Sequence, residues 1–188
     1  MKIEVEKKFL LTPKEIARLT AGAEFLGEKV FTDIYYDTLD YSLAKTDRWL
    51  RKRAGKFELK LPMDVPGEER ILDQYTELET ELEIKTALEL PLENYLPFCT
   101  IQTTRQTFRK DVFTVDINTF DFGYKLTEIE LIVDDPSEIP SARSQILKLT
   151  KSMGFTINPV RGKMMEYLSR NNPVLFQSLH TALSPKTP

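Results

Sequence analysis

Period-two alternation runs through most of this 188-residue chain, and the polar faces it defines are charged and sorted by sign. Residues 2–9 set Ile3, Val5 and Phe9 against Glu4, Glu6 and Lys8, and residues 31–37 set Ile34 and Tyr36 against Asp33, Tyr35 and Asp37. In 47–54, Trp49, Arg51 and Arg53 share a face. In 56–61, Glu58 and Lys60 oppose Phe57, Leu59 and Leu61, and the intervening Ala54-Gly55 reads as a hairpin turn. Segment 71–79 groups Asp73, Tyr75, Glu77 and Glu79; segment 101–109 groups Thr103, Arg105, Thr107 and Arg109. Segment 111–118 alternates Phe113, Val115 and Ile117 with Thr114, Asp116 and Asn118, and 124–133 sets Ile129, Leu131 and Val133 against Glu128 and Glu130. Any one polar face fits an ordinary sheet with one side in water. About eight such strands, with carboxylates on some and cations on others, are enough to close a barrel without edges. The pattern allows an α+β chain in which these strands form a closed eight-stranded antiparallel β-barrel with a charged interior and helices packed outside.

The helices fill the gaps. Thr12-Pro13-Lys14-Glu15 is a capping box with Pro at the first helical position, which predicts a helix to about Leu26. Residues 84–97 are read as helical with an interruption at Pro91. From Ser137 to Met153, Ile139, Ala142, Ile146, Leu149 and Met153 form an apolar stripe, and Gly154 supplies the C′ position. A further helix is expected over 163–170 and a short one after Pro173. Pro62 to Gly67 reads as a loop. The expected organisation is one domain over 1–183, with 184–188 as a flexible tail.

Composition narrows the chemistry. Lys plus Arg total 26 and Asp plus Glu total 29, a formal net charge of −3, without the broad cationic surface of a non-specific nucleic-acid binder. One Cys (Cys99) excludes a disulfide framework and a cysteine zinc cluster, and one His (His180) leaves no material for His-rich metal sites. Cys99 is expected to be buried beside Phe98, and His180 to lie on the surface. Residues 1–8 are too charged for a signal peptide and no run approaches the ~20 apolar residues of a membrane span, so a cytoplasmic protein is expected. Catalysis, if any, falls to carboxylates, Lys, Arg and Tyr.

Charges inside a barrel must be neutralised, because an unpaired buried charge is prohibitively costly. Arg and Lys clusters suit a polyanion with several oxygens, which Arg grips bidentately. Carboxylate pairs in the same cavity suit hard divalent cations such as Mg²⁺. The combination points to an oligophosphate held by basic side chains and metal, without a P-loop.

Glu4-Val5-Glu6-Lys7-Lys8 resembles the ExExK signature of the CYTH superfamily, the triphosphate tunnel metalloenzymes. Asp33-Ile34-Tyr35-Tyr36-Asp37-Thr38, Trp49-Leu50-Arg51-Lys52-Arg53, Glu58-Leu59-Lys60 and Glu128-Ile129-Glu130 follow in that family's order over nearly the whole chain. The stretch 33–53 and Asp121-Phe122-Gly123-Tyr124 are similar to one branch, the thiamine triphosphatases of animals. The resemblance implies that closed eight-stranded antiparallel barrel as a triphosphate tunnel, a monomer, and Mg²⁺-dependent hydrolysis of thiamine triphosphate that releases the terminal phosphate. It implies metal binding by Glu4, Glu6, Glu77, Asp116, Glu128 and Glu130. It implies substrate binding by Lys8, Trp49, Arg51, Arg53, Lys60, Arg105 and Lys163. Asn118 stands where relatives carry a further acid, which the resemblance treats as dispensable.

The resemblance also implies a catalytic dyad in which Lys8 favours the phenolate of Tyr35, which activates water; a phenol with pKa near 10 needs such help at neutral pH. Lys8 as another phosphate clamp and Tyr35 as barrel filling remain open. Trp49 is either a plug for one barrel end or a cation–π platform for the thiazolium of thiamine. Two other activities stay open: hydrolysis of inorganic tripolyphosphate or processing of a nucleoside triphosphate, including cyclisation of ATP, and non-catalytic polyphosphate binding.

Overall fold

The alternating segments become strands because residues at every second position share one face, apolar on one side and polar on the other. A computed structural model, describing residues 2–63 and 72–184, shows eight of them: β1 (Ile3–Phe9), β2 (Glu24–Asp37), β3 (Trp49–Arg53), β4 (Lys56–Pro62), β5 (Asp73–Leu78), β6 (Leu96–Lys110), β7 (Phe113–Phe120) and β8 (Lys125–Val133). They close into an antiparallel barrel in the order β1-β5-β4-β3-β2-β6-β7-β8. The expected fold class is therefore correct. Ala54 and Gly55, with φ of 47° and 83°, form the left-handed corner between β3 and β4. Beyond Met63 the expected loop, including Gly67, and the tail past Ser184 lie outside the described residues.

The odd/even split sends many of the strands' apolar residues outward, where helices cover part of the barrel. Ile3 and Val5 of β1, Val115 of β7 and Ile129 of β8 pack with Ile139, Ala142 and Ile146 of α3 (Ile139–Ser152). Leu50 and Leu59 of β3 and β4 pack with Ile84 of α2 (Glu81–Ala87). Leu168 of α4 (Lys163–Asn171) meets Leu175 and Leu179 of α5 (Pro173–Leu183) over Ala44, in the turn between β2 and β3. Phe120, Phe122 and Tyr124 stack on one another, with Tyr167 of α4 edge-on to Phe122. The aromatic turn between β7 and β8 thus anchors α4.

Three boundaries differ from expectation. The helix opened by the Thr12 capping box, α1 (Pro13–Thr20), ends six residues short of Leu26. Gly22 takes φ of 71°, and the next residues join the ladder on β6, where Glu24 faces Arg109 and Phe25 faces Phe108. The long β6 thus takes backbone that helical periodicity claimed. Residues 84–97 likewise divide: α2 begins earlier, under a second capping box of Thr80 and Glu83, and Leu96 already pairs with Asp37. The acidic run 77–83 is a strand end followed by an exposed helix cap. Finally, α5 runs 11 residues because Asn172 caps it and Pro173 starts it.

Ile146 is fully buried between α3 and the barrel. We expect Ile146→Ala to lower unfolding free energy by about 2–5 kcal/mol, read as a shifted denaturation midpoint at unchanged slope. A shift within error would mean that α3 contributes no core.

Candidate active site

The inward parity of the strands gathers charged side chains around a cavity of about 650 Å³. Its wall carries seven acidic groups (Glu4, Glu6, Asp47, Asp73, Glu77, Glu128 and Glu130) and seven basic ones (Lys8, Arg51, Arg53, Lys60, Arg105, Arg161 and Lys163), so it is formally neutral. Strand register sets the partners. Glu6 stands opposite Asp73 on β5 and Glu130 on β8, Lys8 opposite Glu128, and Lys60 opposite Glu77. Tyr35 faces Arg51 and Asp33 faces Arg53 across β2 and β3.

Each cation then finds carboxylates. Lys60 Nζ lies 2.5 Å from Glu4 Oε2 and 3.7 Å from Glu6 Oε1; the Glu4 contact is an ion pair without an aligned hydrogen bond. Lys8 Nζ donates to Glu6 Oε1 at 2.7 Å and Asp73 Oδ2 at 2.5 Å. Arg51 donates to Glu58 at 2.6 Å and Glu77 at 2.5 Å. Arg105 pairs with Asp116 at 2.6 Å and Glu128 at 3.2 Å. Arg53 and Lys163 converge on Asp33.

These contacts decide which groups are charged. Burial opposes ionisation of Glu6, but Lys60 and Lys8 outweigh it and bring its pKa down to about 2. Burial would also weaken the ammonium of Lys8; Glu6 and Asp73 reverse that and hold it well above the ordinary lysine range. Lys8 is thus a fixed cation rather than a proton acceptor. Burial raises Glu4 and Glu128. Glu130 is pushed up to about 8 by burial and then by Glu4, Asp116, Glu6 and Glu128. Acid crowding on this wall exceeds what its cations neutralise.

Most side chains singled out in the sequence line this one cavity: Lys8, Tyr35, Trp49, Arg51, Arg53, Lys60, Arg105, Lys163, Glu4, Glu6, Glu77, Glu128 and Glu130. Asp116 lies behind the wall, buried, accepting from Thr107 Oγ1 at 2.6 Å and paired to Arg105. Lys8 and Tyr35 share the cavity without a hydrogen bond between them among the described residues; Lys163 Nζ sits 5.4 Å over the Tyr35 ring. The Trp49 indole stands edge-on to Tyr35 at 6.5 Å and donates Nε1–H to Asp47 at 2.8 Å. Asn118 accepts from Arg105 Nε at 2.7 Å, as an acid could, and also donates to Glu128 at 2.9 Å, which an ionised acid could not. Cys99 is buried, and burial pushes its thiol up to about 12, far from a nucleophile's range. His180 is exposed, though it borders the cavity.

Sequence reasoning left Asp33, Asp47, Glu58, Asp73 and Tyr75 without roles, although each shares the inward parity of a residue it did select. Arg161 carried no signal, since it lies in a loop; Tyr124 fixes that loop by donating its hydroxyl to the Arg161 carbonyl at 2.9 Å.

The hard carboxylate oxygens fit a divalent cation such as Mg²⁺ in chemistry, and the raised Glu130 marks unneutralised negative charge. Among the described residues no three acidic, His or Cys side chains are already gathered as a metal-ligand set. Glu4, Glu6, Glu77 and Glu128 are engaged by cations instead.

Comparison with known proteins agrees with the geometry. Residues 2–156 match the CYTH domain. The thiamine-triphosphatase of Macaca fascicularis is 31% identical, with 98% of this chain and 92% of the relative covered. That of Homo sapiens is 31% identical over 94% of this chain and 89% of its own length. Among solved structures, a Pyrococcus horikoshii OT3 protein superposes with a TM-score of 0.67 at 22% identity, covering 89% of this chain and 99% of that one. A proposed adenylyl cyclase of Hippeastrum, described as having a dominant triphosphatase activity, gives 0.59 at 15% identity over 90% and 96%. These two structural likenesses bear on the fold alone. No helix among the described residues is long and apolar enough to cross a membrane.

Glu130 ionises near 4.5 when unfolded and near 8 when folded, so between those values the native protein holds the extra proton. Without divalent metal, stability should therefore fall as pH rises through that window. We expect the thermal midpoint in chelator to drop between about pH 5 and pH 8.5, Glu130→Gln to flatten the drop, and Mg²⁺ to recover it in the parent protein. A flat parent profile in chelator would contradict this assignment.

Proposed function

The chain belongs to the CYTH family, and we propose that it is an Mg²⁺-dependent triphosphatase that hydrolyses thiamine triphosphate to thiamine diphosphate and phosphate. The supporting observation is the interleaving of Lys60, Lys8, Arg51 and Arg105 with carboxylates on one closed wall. A wall of paired opposite charges suits a ligand made of a polyanion and a cation, because each half can take over the partners of the other. Relatives named thiamine-triphosphatase at 31% identity favour that substrate within the family. The protein acts as one unit in the cytoplasm, as a monomer.

In this reading Arg51, Arg53, Lys60, Arg105 and Lys163 hold the phosphate oxygens. Phosphoryl transfer needs positioning and neutralisation of charge more than covalent help from the protein. Glu4, Glu6, Glu77, Glu128 and Glu130, supported by Asp116 behind Arg105, would hold Mg²⁺, which when bound supplies charge neutralisation on the phosphates. Tyr35 is the base that orients and deprotonates the attacking water, and Lys8 is the cation that favours its phenolate. Without ligand Lys8 is held by Glu6 and Asp73, which leaves one of the three N–H donors of its ammonium for that role. Arg51, directly across the ladder, lends Tyr35 further positive field. Trp49, fixed by Asp47, offers the thiazolium a ring face.

Phosphate release in Mg²⁺ from thiamine triphosphate, tripolyphosphate and ATP, measured in parallel, tests the assignment. We expect thiamine triphosphate to give the highest kcat/KM; preference for tripolyphosphate or ATP would reassign the substrate, and no release from any would leave a binding module. Lys8→Ala should lower kcat about 100-fold or more with KM little changed; the opposite split would make Lys8 a phosphate clamp. Trp49→Ala should raise KM for thiamine triphosphate roughly 3- to 30-fold and spare tripolyphosphate hydrolysis. Loss of both would make Trp49 a plug.

A further inference from the structure

Asp33 has no solvent exposure and does not line the cavity, yet two cations that do line it end on its carboxylate. Arg53 donates Nε–H to Oδ1 at 2.6 Å and Nη2–H to Oδ2 at 2.8 Å, a bidentate grip, and Lys163 Nζ donates to Oδ2. Arg53 is the cross-strand partner of Asp33 on β3, whereas Lys163 is the first residue of α4, 130 residues away in sequence. The Arg53 guanidinium also lies 4.0 Å over the Phe31 ring, so its plane is fixed from two sides. Lys163, on the same carboxylate, is carried across the face of Tyr35. Lys163 lies beyond residues 2–156, the span matched to the CYTH domain.

We infer that Asp33 is a positioning residue: it touches no substrate, but sets Arg53 and Lys163 at fixed places on the cavity wall before a triphosphate arrives, and so makes α4 part of the substrate site. The inference rests on the reading of the cavity as a triphosphate site. Long cationic side chains lose rotamer freedom when they bind, and a carboxylate behind them takes up that loss in advance. Asp33 is deep enough that no ligand in the cavity competes for it, unlike Glu6 or Glu77 on the wall itself. Its two cations therefore stay placed while the wall pairs exchange partners. Asn would keep the size of Asp33 but offers one acceptor oxygen where the two cations need both. Glu would keep the charge and push it toward the cavity.

The test is the affinity of the full chain for inorganic tripolyphosphate, by calorimetry without divalent metal, in Asp33→Asn, Lys163→Met and the double variant. Each single variant should weaken binding at least about 10-fold. The double should fall well short of the product of the two losses, because Lys163 loses its placement once Asp33 is gone. Multiplying losses, or an Asp33→Asn protein that melts earlier yet binds tripolyphosphate like the parent, would reduce Asp33 to a structural ion pair and overturn the inference. Should Asp33→Asn not fold, Lys163→Met decides: parental affinity there would remove α4 from the site. If the parent hydrolyses triphosphates while binding ignores both residues, this inference falls and the triphosphatase reading stands. If the parent neither binds tripolyphosphate nor hydrolyses a triphosphate, both fall.

Discussion

A closed barrel can hold charged side chains in its interior only if each one meets an opposite charge, and the rest of this structure follows from how that is arranged. Cross-strand register delivers some partners directly, Arg51 beside Glu58 and Arg53 beside Asp33, whereas Lys60 and Lys8 stand across from Glu77 and Glu128 but pair with Glu4, Glu6 and Asp73. A slip of one residue in any strand would turn its charges into the outer apolar layer and its apolar residues into the cavity. Register is therefore specified twice, by the interior pairing and by the exterior packing of α2, α3 and α4. Breaking a buried pair by removing one partner is far more damaging than never having built it.

The same pairing gives the cavity its chemistry. Neutral overall, it is not neutral locally: Glu6 is held ionised by two ammonium groups, whereas Glu130, among acids, holds its proton up to about 8. Such a wall is poised to exchange partners. Cations released from carboxylates can take phosphate oxygens, and carboxylates released from cations can take a divalent metal, with little net charge transferred from water. Asp33 lies behind Arg53 and Lys163, and Asn118 bridges Arg105 and Glu128.

Much of the barrel was legible because period-two alternation is a local signal and β1, β3, β4, β7 and β8 each carry it cleanly. What was not legible was competition between elements. The helical reading runs to about Leu26, and pairing with the backbone of β6 makes residues 24–26 part of a strand. Among the site residues, parity found the inward side chains but ranked them by type, so acids that neutralise neighbouring cations, such as Glu58 and Asp73, received no part. Arg161 had no periodic element to reveal it.

The sequence by itself determined the alternation, the sorting of charge by strand and the scarcity of His and Cys, because side-chain direction in a strand has a fixed period of two. Those features imply a charged tunnel and oxygen-and-nitrogen chemistry without thiol or imidazole. Tertiary structure alone decided which charge meets which. Lys163 reaches Asp33 because the aromatic stack at Phe120, Phe122 and Tyr124 seats α4 against the barrel, a contact 130 residues distant in the chain. Lys8 meets Glu6 two residues along its own strand, but it meets Asp73 only because β5 pairs with β1. Distances of this kind depend on closure of the whole ring, which no local pattern contains.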